Sequence, residues 1–136
     1  MGLAPITLKY WYEKLSMPVF SEIRRHDKNY QVNQIRYMVL KDFGQIGCVR
    51  ITMVQKRALY QLPSNFLILD TGAISREHAI KILNSFYREP IRNEEKMTVL
   101  SVKWLKQYPP FFKARKQYEE NQNGTNTSTN RKNSLK

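Results

Sequence analysis

The sequence predicts an α+β fold in which a half-buried β-sheet packs against one main helix. Residues 32–41 and 46–54 alternate apolar and polar side chains as strands do, whereas residues 75–87 repeat apolar side chains at spacings of three and four. At 136 residues, the chain has the length of one domain with a moderate core.

The N-terminal part predicts two extended segments before the main sheet. Residues 6–11 are rich in β-branched and aromatic side chains and predict a first strand, followed by a short helical turn at residues 12–15. Pro18 then interrupts the chain, and residues 19–23 predict a second strand. The polar residues 24–29 predict an exposed basic loop.

Residues 32–41 and 46–54 predict a β-hairpin, because the four residues between them include an aspartate and a glycine. The alternation places Ile35 and Tyr37 on the face toward the core. The opposite face is expected to carry a basic row, formed by Arg36, Lys41, Arg50 and Lys56.

The second half of the chain predicts the main helix, a central strand and a tail. Ser75 is suited to cap the helix over residues 75–87. Residues 97–105 are strongly apolar and predict a central strand. Apolar residues then become scarce, so we expect one domain over residues 1–112 and a disordered, basic, Asn/Thr-rich tail over residues 113–136.

The charge of the chain favours a polyanionic partner. The formal net charge is +12 at pH 7. The tail holds six basic and two acidic residues, so residues 1–112 keep 17 basic and nine acidic residues, a charge of +8. Nucleic acid is the leading candidate partner, with an acidic protein as the alternative.

The residue types and motifs that the sequence lacks narrow the class of protein further. Five glycines leave little room for a glycine-rich phosphate loop, and no metal-ligand spacing is present, so we expect no cofactor and no metal. Cys48 is the single cysteine, and no apolar segment has the length of a signal or a membrane span. We therefore expect a cytoplasmic protein without a membrane partner.

Glu22 and Arg24 are the leading candidates for a binding site. Their i, i+2 spacing places both side chains on one face of an extended segment, where a carboxylate and a five-donor guanidinium share one pocket. Such a pair suits a nucleobase or a phosphate, although a plain surface ion pair is the alternative. Further contacts to RNA or a nucleotide are expected from Arg25, Lys28, Tyr30 and Arg36.

The order of these features resembles an ASCH domain, a small PUA-like mixed β-barrel associated with RNA and modified nucleosides. The family signature Gly-x-Lys-x-x-Glu-x-Arg ends here with Glu22 and Arg24, whereas Met17 and Val19 stand at its first two defined positions. The resemblance covers residues 5–105. It continues through the Asp-Thr-Gly sequence at residues 70–72, the helix ending in Phe86 and Tyr87, and the last apolar strand.

The resemblance implies an RNA- or nucleotide-binding module whose basic cleft surrounds Glu22 and Arg24. Some small family members are amidohydrolases that remove the acyl group of N4-acetylcytidine and use the signature lysine. Because Val19 supplies no amine, an amidohydrolase or a ribonuclease is the less favoured hypothesis, and its acid/base candidates are Glu22 and Asp70. For Asp70 we favour a cap before the helix.

A third hypothesis is an interaction protein. Small phage and bacterial proteins share the layout that this sequence resembles, which suggests a phage-type factor that docks on an acidic host protein. Apart from its net positive charge, the sequence offers no specific motif for such a partner.

Overall fold

The computed structural model describes residues 3–25 and 28–135, so residues 26 and 27 of the predicted basic loop lie outside the described residues. The described chain has an α+β fold with five strands in one curled half-barrel sheet and three α-helices. The strands are β1 (Ile6–Leu8), β2 (Val19–Arg24), β3 (Ile35–Leu40), β4 (Gly44–Ala58) and β5 (Lys96–Gln107). The helices are α1 (Ser64–Thr71), α2 (Arg76–Asn84) and α3 (Pro109–Leu135), with 3-10 turns at Glu13–Ser16 and Leu59–Gln61.

The sheet has the strand order β1-β3-β4-β5-β2, which makes β1 and β2 its two edges. The predicted strand near residues 97–105 is confirmed as β5, an internal strand that pairs with β4 and β2. At the edges, Arg24 Nη2 donates a hydrogen bond to the Thr7 carbonyl at 2.9 Å. A side chain therefore bridges β2 and β1 where no backbone ladder joins them.

The predicted hairpin is confirmed, but β3 presents the opposite face to the core. Arg36 pairs with Val49, and Tyr37 pairs with Cys48. Because directly opposed residues share a face and Val49 is buried, Arg36 points inward. The prediction that Ile35 and Tyr37 face the core is wrong, since they are 52% and 48% exposed.

The predicted main helix is confirmed as α2, and the Ser75 side chain accepts a hydrogen bond from His78 N at 3.1 Å. The pattern does not predict α1, because its apolar residues are consecutive and form no single stripe. Asp70 and Thr71, expected in a loop, form the last turn of α1 instead. Gly72 ends that helix with a left-handed φ of 75°.

After β5 the chain forms α3, a helix that continues past residue 113, where we expected a disordered tail to begin. α3 begins at Pro109, and Phe111 and Ala114 lie in the core. The rings of Trp11 and Trp104 pack edge-on against Phe111, with centroids 5.0 and 5.3 Å away. Two apolar residues at helical spacing anchor the start of α3, which the bulk composition of the tail conceals. Within the described ranges, no helix is long and apolar enough to cross a membrane.

Two apolar clusters hold the elements in place. The first joins β1, β3, β4, β5 and α3, and its buried members include Ile6, Met38, Val49, Leu100 and Phe111. The second joins α1 and α2 to β2 and β5, and its buried members include Ile23, Leu67, Leu83, Met97 and Val99. The second cluster fixes the end of α1 against β2, where the charged residues described next meet.

Candidate functional site

A cavity of about 390 Å³ lies beside the two edge strands, β1 and β2, and next to α1 and α2. Its apolar and aromatic walls include Leu8, Tyr12, Ile23, Leu83, Phe86 and Tyr87. Its charged lining consists of Lys9, Lys14, Glu22, Arg24, Lys41 and Asp70. The volume and the mixture of aromatic walls with a few polar groups are typical of small-molecule sites.

Lys14 is the centre of a buried charge cluster. Its Nζ lies 3.0 Å from Glu22 Oε1 and donates to Asp70 Oδ1 at 3.0 Å and to the Ser21 carbonyl at 2.7 Å. The lysine comes from a 3-10 turn, Glu22 from β2 and Asp70 from α1, so three elements converge. All three charged residues are at most 7% exposed. No cluster suited to a metal ion was found among the described residues.

Arg24 completes the cluster and balances its charge. Its Nη2 lies 3.1 Å from Glu22 Oε2, so two cations face two carboxylates. The Lys14 ammonium, 3.0 Å away, is the polar contact of Glu22 Oε1, whereas Arg24 Nε makes no hydrogen bond within the described chain. Buried polar atoms are nearly always hydrogen-bonded, so Arg24 Nε leaves the network incomplete.

The two carboxylates have pKa values shifted in opposite directions. Burial would raise the pKa of Glu22, but the charges of Lys14 and Arg24 outweigh burial and lower it. Burial raises the pKa of Asp70, with Lys14 opposing the shift and Glu22 adding to it. Burial alone would lower the pKa of Lys14, yet Asp70 and Glu22 raise it. The lysine is therefore held as an ammonium ion between unlike carboxylates.

Asp70 lies at the cavity and does not cap α2. Its Oδ1 accepts a hydrogen bond from Ser21 Oγ at 2.7 Å as well as the bond from Lys14. An aspartate in the last turn of a helix meets the negative end of the helix dipole, so its side-chain partners account for its position. The favoured prediction of a capping role is wrong, because Ser75 caps α2.

Among the predicted binding residues, Glu22 and Arg24 line the cavity. Arg25 lies behind the wall: its guanidinium pairs with Glu95 at 2.6 Å and lies 5.5 Å from the centroid of the Tyr87 ring. Arg25 N also donates to Tyr87 Oη at 3.1 Å. Arg25 thus positions an aromatic wall residue.

Lys28, Tyr30 and Arg36 are not part of the cavity lining. Arg36 is 1% exposed, and its guanidinium lies 4.7 Å from the centroid of the Tyr30 ring. It donates to the carbonyls of Ala4, Lys28 and Asn29. The outward position predicted for Arg36 is therefore wrong, because this side chain ties the loop before β3 to the N-terminal segment.

Sequence reasoning missed Lys14 and gave no site role to the wall residues Phe86 and Tyr87, whereas Tyr12 was expected to offer a surface for stacking on a base. The family signature places a lysine three residues before its glutamate, whereas Lys14 lies eight residues before Glu22. A fixed spacing cannot find a side chain that reaches the same carboxylate from a separate 3-10 turn. Burial and the charges of Glu22 and Asp70 raise the pKa of Tyr12, which places its phenol among these groups.

Comparison with protein-family models, with curated proteins and with solved structures finds no match. The resemblance to ASCH domains therefore stays a prediction, and proposals about function rest on the residues of the cavity.

Proposed function

We propose that the cavity binds the base of a nucleotide, free or within RNA, and that the protein is a PUA-like, ASCH-type binding module. The observation that carries this proposal is the buried donor Arg24 Nε, which has no hydrogen-bond partner and stands beside the Glu22 carboxylate at an aromatic-lined cavity. Every base presents a donor beside an acceptor on its pairing edge, which complements a carboxylate beside a guanidinium. Tyr12, Phe86 and Tyr87 offer ring surfaces for the base.

Two lysines at the cavity favour a nucleotide, which carries a phosphate, over a nucleoside as the ligand. Lys9 and Lys41 both line the cavity and are exposed. Lys41 N donates to the Leu8 carbonyl at 2.9 Å, which holds the ends of β1 and β3 together and brings the two lysines to the same side of the site. Their ammonium groups are placed to meet the phosphate of a ligand whose base lies deeper in the cavity.

Calorimetric titration of the full chain tests the proposal. The ligands are the four ribonucleosides and their 5′-monophosphates, and at least one monophosphate is expected to bind more tightly than its nucleoside. Glu22→Gln should weaken that binding by about tenfold or more, since a hydrogen bond to a charged group contributes roughly 1.5–3 kcal/mol. Asp70→Asn is the matched control, because Asp70 Oδ1 already has two partners.

The outcomes separate the parts of the proposal. Binding by none of the eight ligands contradicts a nucleotide site. Equal loss of affinity in Glu22→Gln and Asp70→Asn would show that affinity depends on the charge cluster as a whole. It would contradict a specific contact between Glu22 and the pairing edge of the base. Circular dichroism of each variant establishes that it remains folded.

The cavity supports a second candidate, hydrolysis of an amide on a nucleobase. Paired carboxylates whose environments push their pKa values apart are typical of acid/base sites. Lys14 also supplies the amine that Val19 does not, 3.0 Å from Glu22. In such a reaction Glu22 would take a proton from water as it adds to the carbonyl carbon, the Lys14 ammonium would stabilise the oxyanion, and protonated Asp70 would donate to the leaving amine.

Release of cytidine from N4-acetylcytidine tests this second candidate. Activity that is lost in both Glu22→Gln and Asp70→Asn, while both variants remain folded, would support hydrolysis. Tight binding of N4-acetylcytidine without turnover would leave binding as the function of the cavity.

A further inference from the structure

The three consecutive neighbours at the centre of the sheet, β3, β4 and β5, carry only positive charge. Their sequences contain no aspartate or glutamate and seven basic residues, although the chain has 11 acidic residues in all. Arg36 is buried, and the other six are exposed: Arg50, Lys56, Arg57, Lys96, Lys103 and Lys106. Interspersed charges of both signs are usual on a solvated face, so this segregation needs an explanation.

The strand register gathers three of the six exposed cations into two neighbouring rows. In one row, Ile35 pairs with Arg50, and Arg50 pairs with Lys103. In the next row, Tyr37 pairs with Cys48, and Cys48 pairs with Lys106. Opposed residues on adjacent strands lie about 5 Å apart within each row, and a register shift between Cys48 and Val49 places the exposed Leu105 between the two rows. We call this surface the outer face, formed by Ile35, Tyr37, Arg50, Lys103, Leu105 and Lys106.

The outer face also exposes apolar and aromatic side chains. Ile35, Tyr37 and Leu105 are 52%, 48% and 42% exposed. Lys106 Nζ lies 5.7 Å from the centroid of the Tyr108 ring, so a second tyrosine borders the face. A cavity of about 320 Å³ adjoins it and is lined in part by Leu105 and Lys106. Exposed apolar groups gathered on one surface are typical of a contact site.

We propose that the outer face binds single-stranded nucleic acid without base specificity. Single strands are bound where cations follow the phosphates and aromatic rings stack on bases, and an open sheet surface presents both. Arg50, Lys103 and Lys106 contact the backbone, while Tyr37 stacks on a base. None of the six outer-face residues lines the nucleotide cavity, so this surface is independent of that site.

Fluorescence anisotropy with labelled 12-nucleotide oligo-U and oligo-dT tests the proposal with the full chain. The face variant is Arg50→Glu/Lys103→Glu/Lys106→Glu. The matched control is Lys81→Glu/Arg88→Glu/Arg92→Glu, which reverses three exposed cations on and after α2. Both variants fall from the net charge of +12 by the same amount. The face variant should lose at least tenfold more affinity than the control, and its log–log salt slope should shrink by roughly 2, since each single-strand phosphate contact contributes about 0.7.

A second pair of variants tests stacking. Tyr37→Ala should weaken binding by about fivefold or more, because stacking on one base contributes at least about 1 kcal/mol. Tyr60→Ala removes an exposed tyrosine outside the outer face and should leave affinity unchanged.

Four results would overturn the proposal: binding to neither oligonucleotide, equal losses in the two charge variants, no loss in Tyr37→Ala, or displacement by poly-glutamate as readily as by oligonucleotide. The last result would indicate an acidic protein as the partner. Preference for oligo-U over oligo-dT would identify RNA as the source of the strand, and equal affinity would identify single strands of either kind.

Discussion

Glu22 and Asp70 contact the same ammonium group of Lys14 but differ in their other neighbours. Glu22 also lies beside Arg24, whereas Asp70 is buried without a second cation and accepts from a neutral Ser21 hydroxyl. The fold therefore stabilises the charge of Glu22 and disfavours that of Asp70, as their opposite pKa shifts indicate. Two chemically similar carboxylates acquire different roles from their surroundings.

Neutralising the two carboxylates should have unequal effects on stability. Glu22→Gln removes the shared anion of Lys14 and Arg24 and should lower the free energy of unfolding by about 3–5 kcal/mol. Asp70→Asn should cost about 1 kcal/mol, because the fold disfavours that charge and Lys14 keeps Glu22. Urea unfolding at pH 7 measures both values. A cost for Asp70→Asn equal to that of Glu22→Gln would contradict the difference between the two sites.

The pH dependence of the same variants should have opposite signs. The raised pKa of Asp70 means that the folded chain binds this proton before the unfolded chain, in which the group titrates near 3.8. The contribution of Asp70 to the free energy of unfolding therefore grows as pH falls through the folded pKa and is complete below 3.8. The stability of wild type relative to Asp70→Asn should rise from pH 7 to pH 4.

The contribution of Glu22 to stability should have the opposite pH dependence. Its lowered pKa means that its contribution is present above 4.5, the ordinary value, and is lost as pH falls through the folded pKa. The stability of wild type relative to Glu22→Gln should therefore shrink below pH 4.5. Differences that stay flat with pH for both variants would show that neither pKa shift is as assigned.

Arg36 should be a structural residue with no role in ligand binding. Arg36→Met removes the buried donors of the Ala4, Lys28 and Asn29 carbonyls and should lower the free energy of unfolding by roughly 3 kcal/mol or more. Arg50→Met, on the same sheet but exposed, should change it by no more than about 0.5 kcal/mol. Chemical denaturation of the two variants measures both values, and equally small effects would contradict the anchoring role of Arg36.

At the scale of elements, α3 is held by one face of its first turn. Phe111 is 1% exposed and contacts both tryptophans, whereas Phe112 is 53% exposed. Phe111→Ala should lower the free energy of unfolding by about 3–5 kcal/mol, because it leaves a cavity between α3 and the sheet. Phe112→Ala deletes the same number of atoms one residue later and should cost less than about 1 kcal/mol. Equal costs, measured by urea unfolding, would contradict the docked start of α3.

The sequence predicts elements whose own pattern determines them. β2, the β3–β4 hairpin, α2 and β5 have clear periods or turn residues, and all four are confirmed. The face of β3 depends on its partner, since both frames of that strand contain apolar residues and only the pairing of Arg36 with Val49 decides between them. α1 and the start of α3 depend on tertiary burial, which local periodicity does not report.

The residues of the candidate site divide in the same way, into those whose sequence spacing predicts their position and those that only the fold brings together. The i, i+2 spacing of Glu22 and Arg24 predicts that they share a face, and the structure places both at the cavity. Lys14 and Asp70 arrive from separate elements, 56 residues apart, and meet only after the chain has folded. Their hydrogen bond depends on the packing of α1 against β2, for which the sequence offers no spacing.

At the scale of the molecule, charge is divided unevenly over the surface. β3, β4 and β5 hold seven basic residues and no acidic one, so all 11 acidic residues lie elsewhere in the chain. Two of these acids, Glu22 and Asp70, are buried with Lys14 and Arg24 and offset no surface charge. The cations of the outer face therefore repel one another, and a bound polyanion or dissolved salt would weaken this repulsion.

Salt should therefore stabilise the free protein. Raising sodium chloride from about 0.02 to about 0.3 M screens repulsion among exposed cations and leaves the buried cluster largely unscreened. A relief of about 1 kcal/mol would raise Tm by roughly 4 °C for a domain of this size. The Arg50→Glu/Lys103→Glu/Lys106→Glu variant should show a clearly smaller rise, because it removes the segregated charge itself, and potassium acetate at equal ionic strength should reproduce both results if screening is the cause. A Tm that falls with salt in the wild type, measured by thermal unfolding, would show that attractive surface pairs outweigh the repulsion of the outer face.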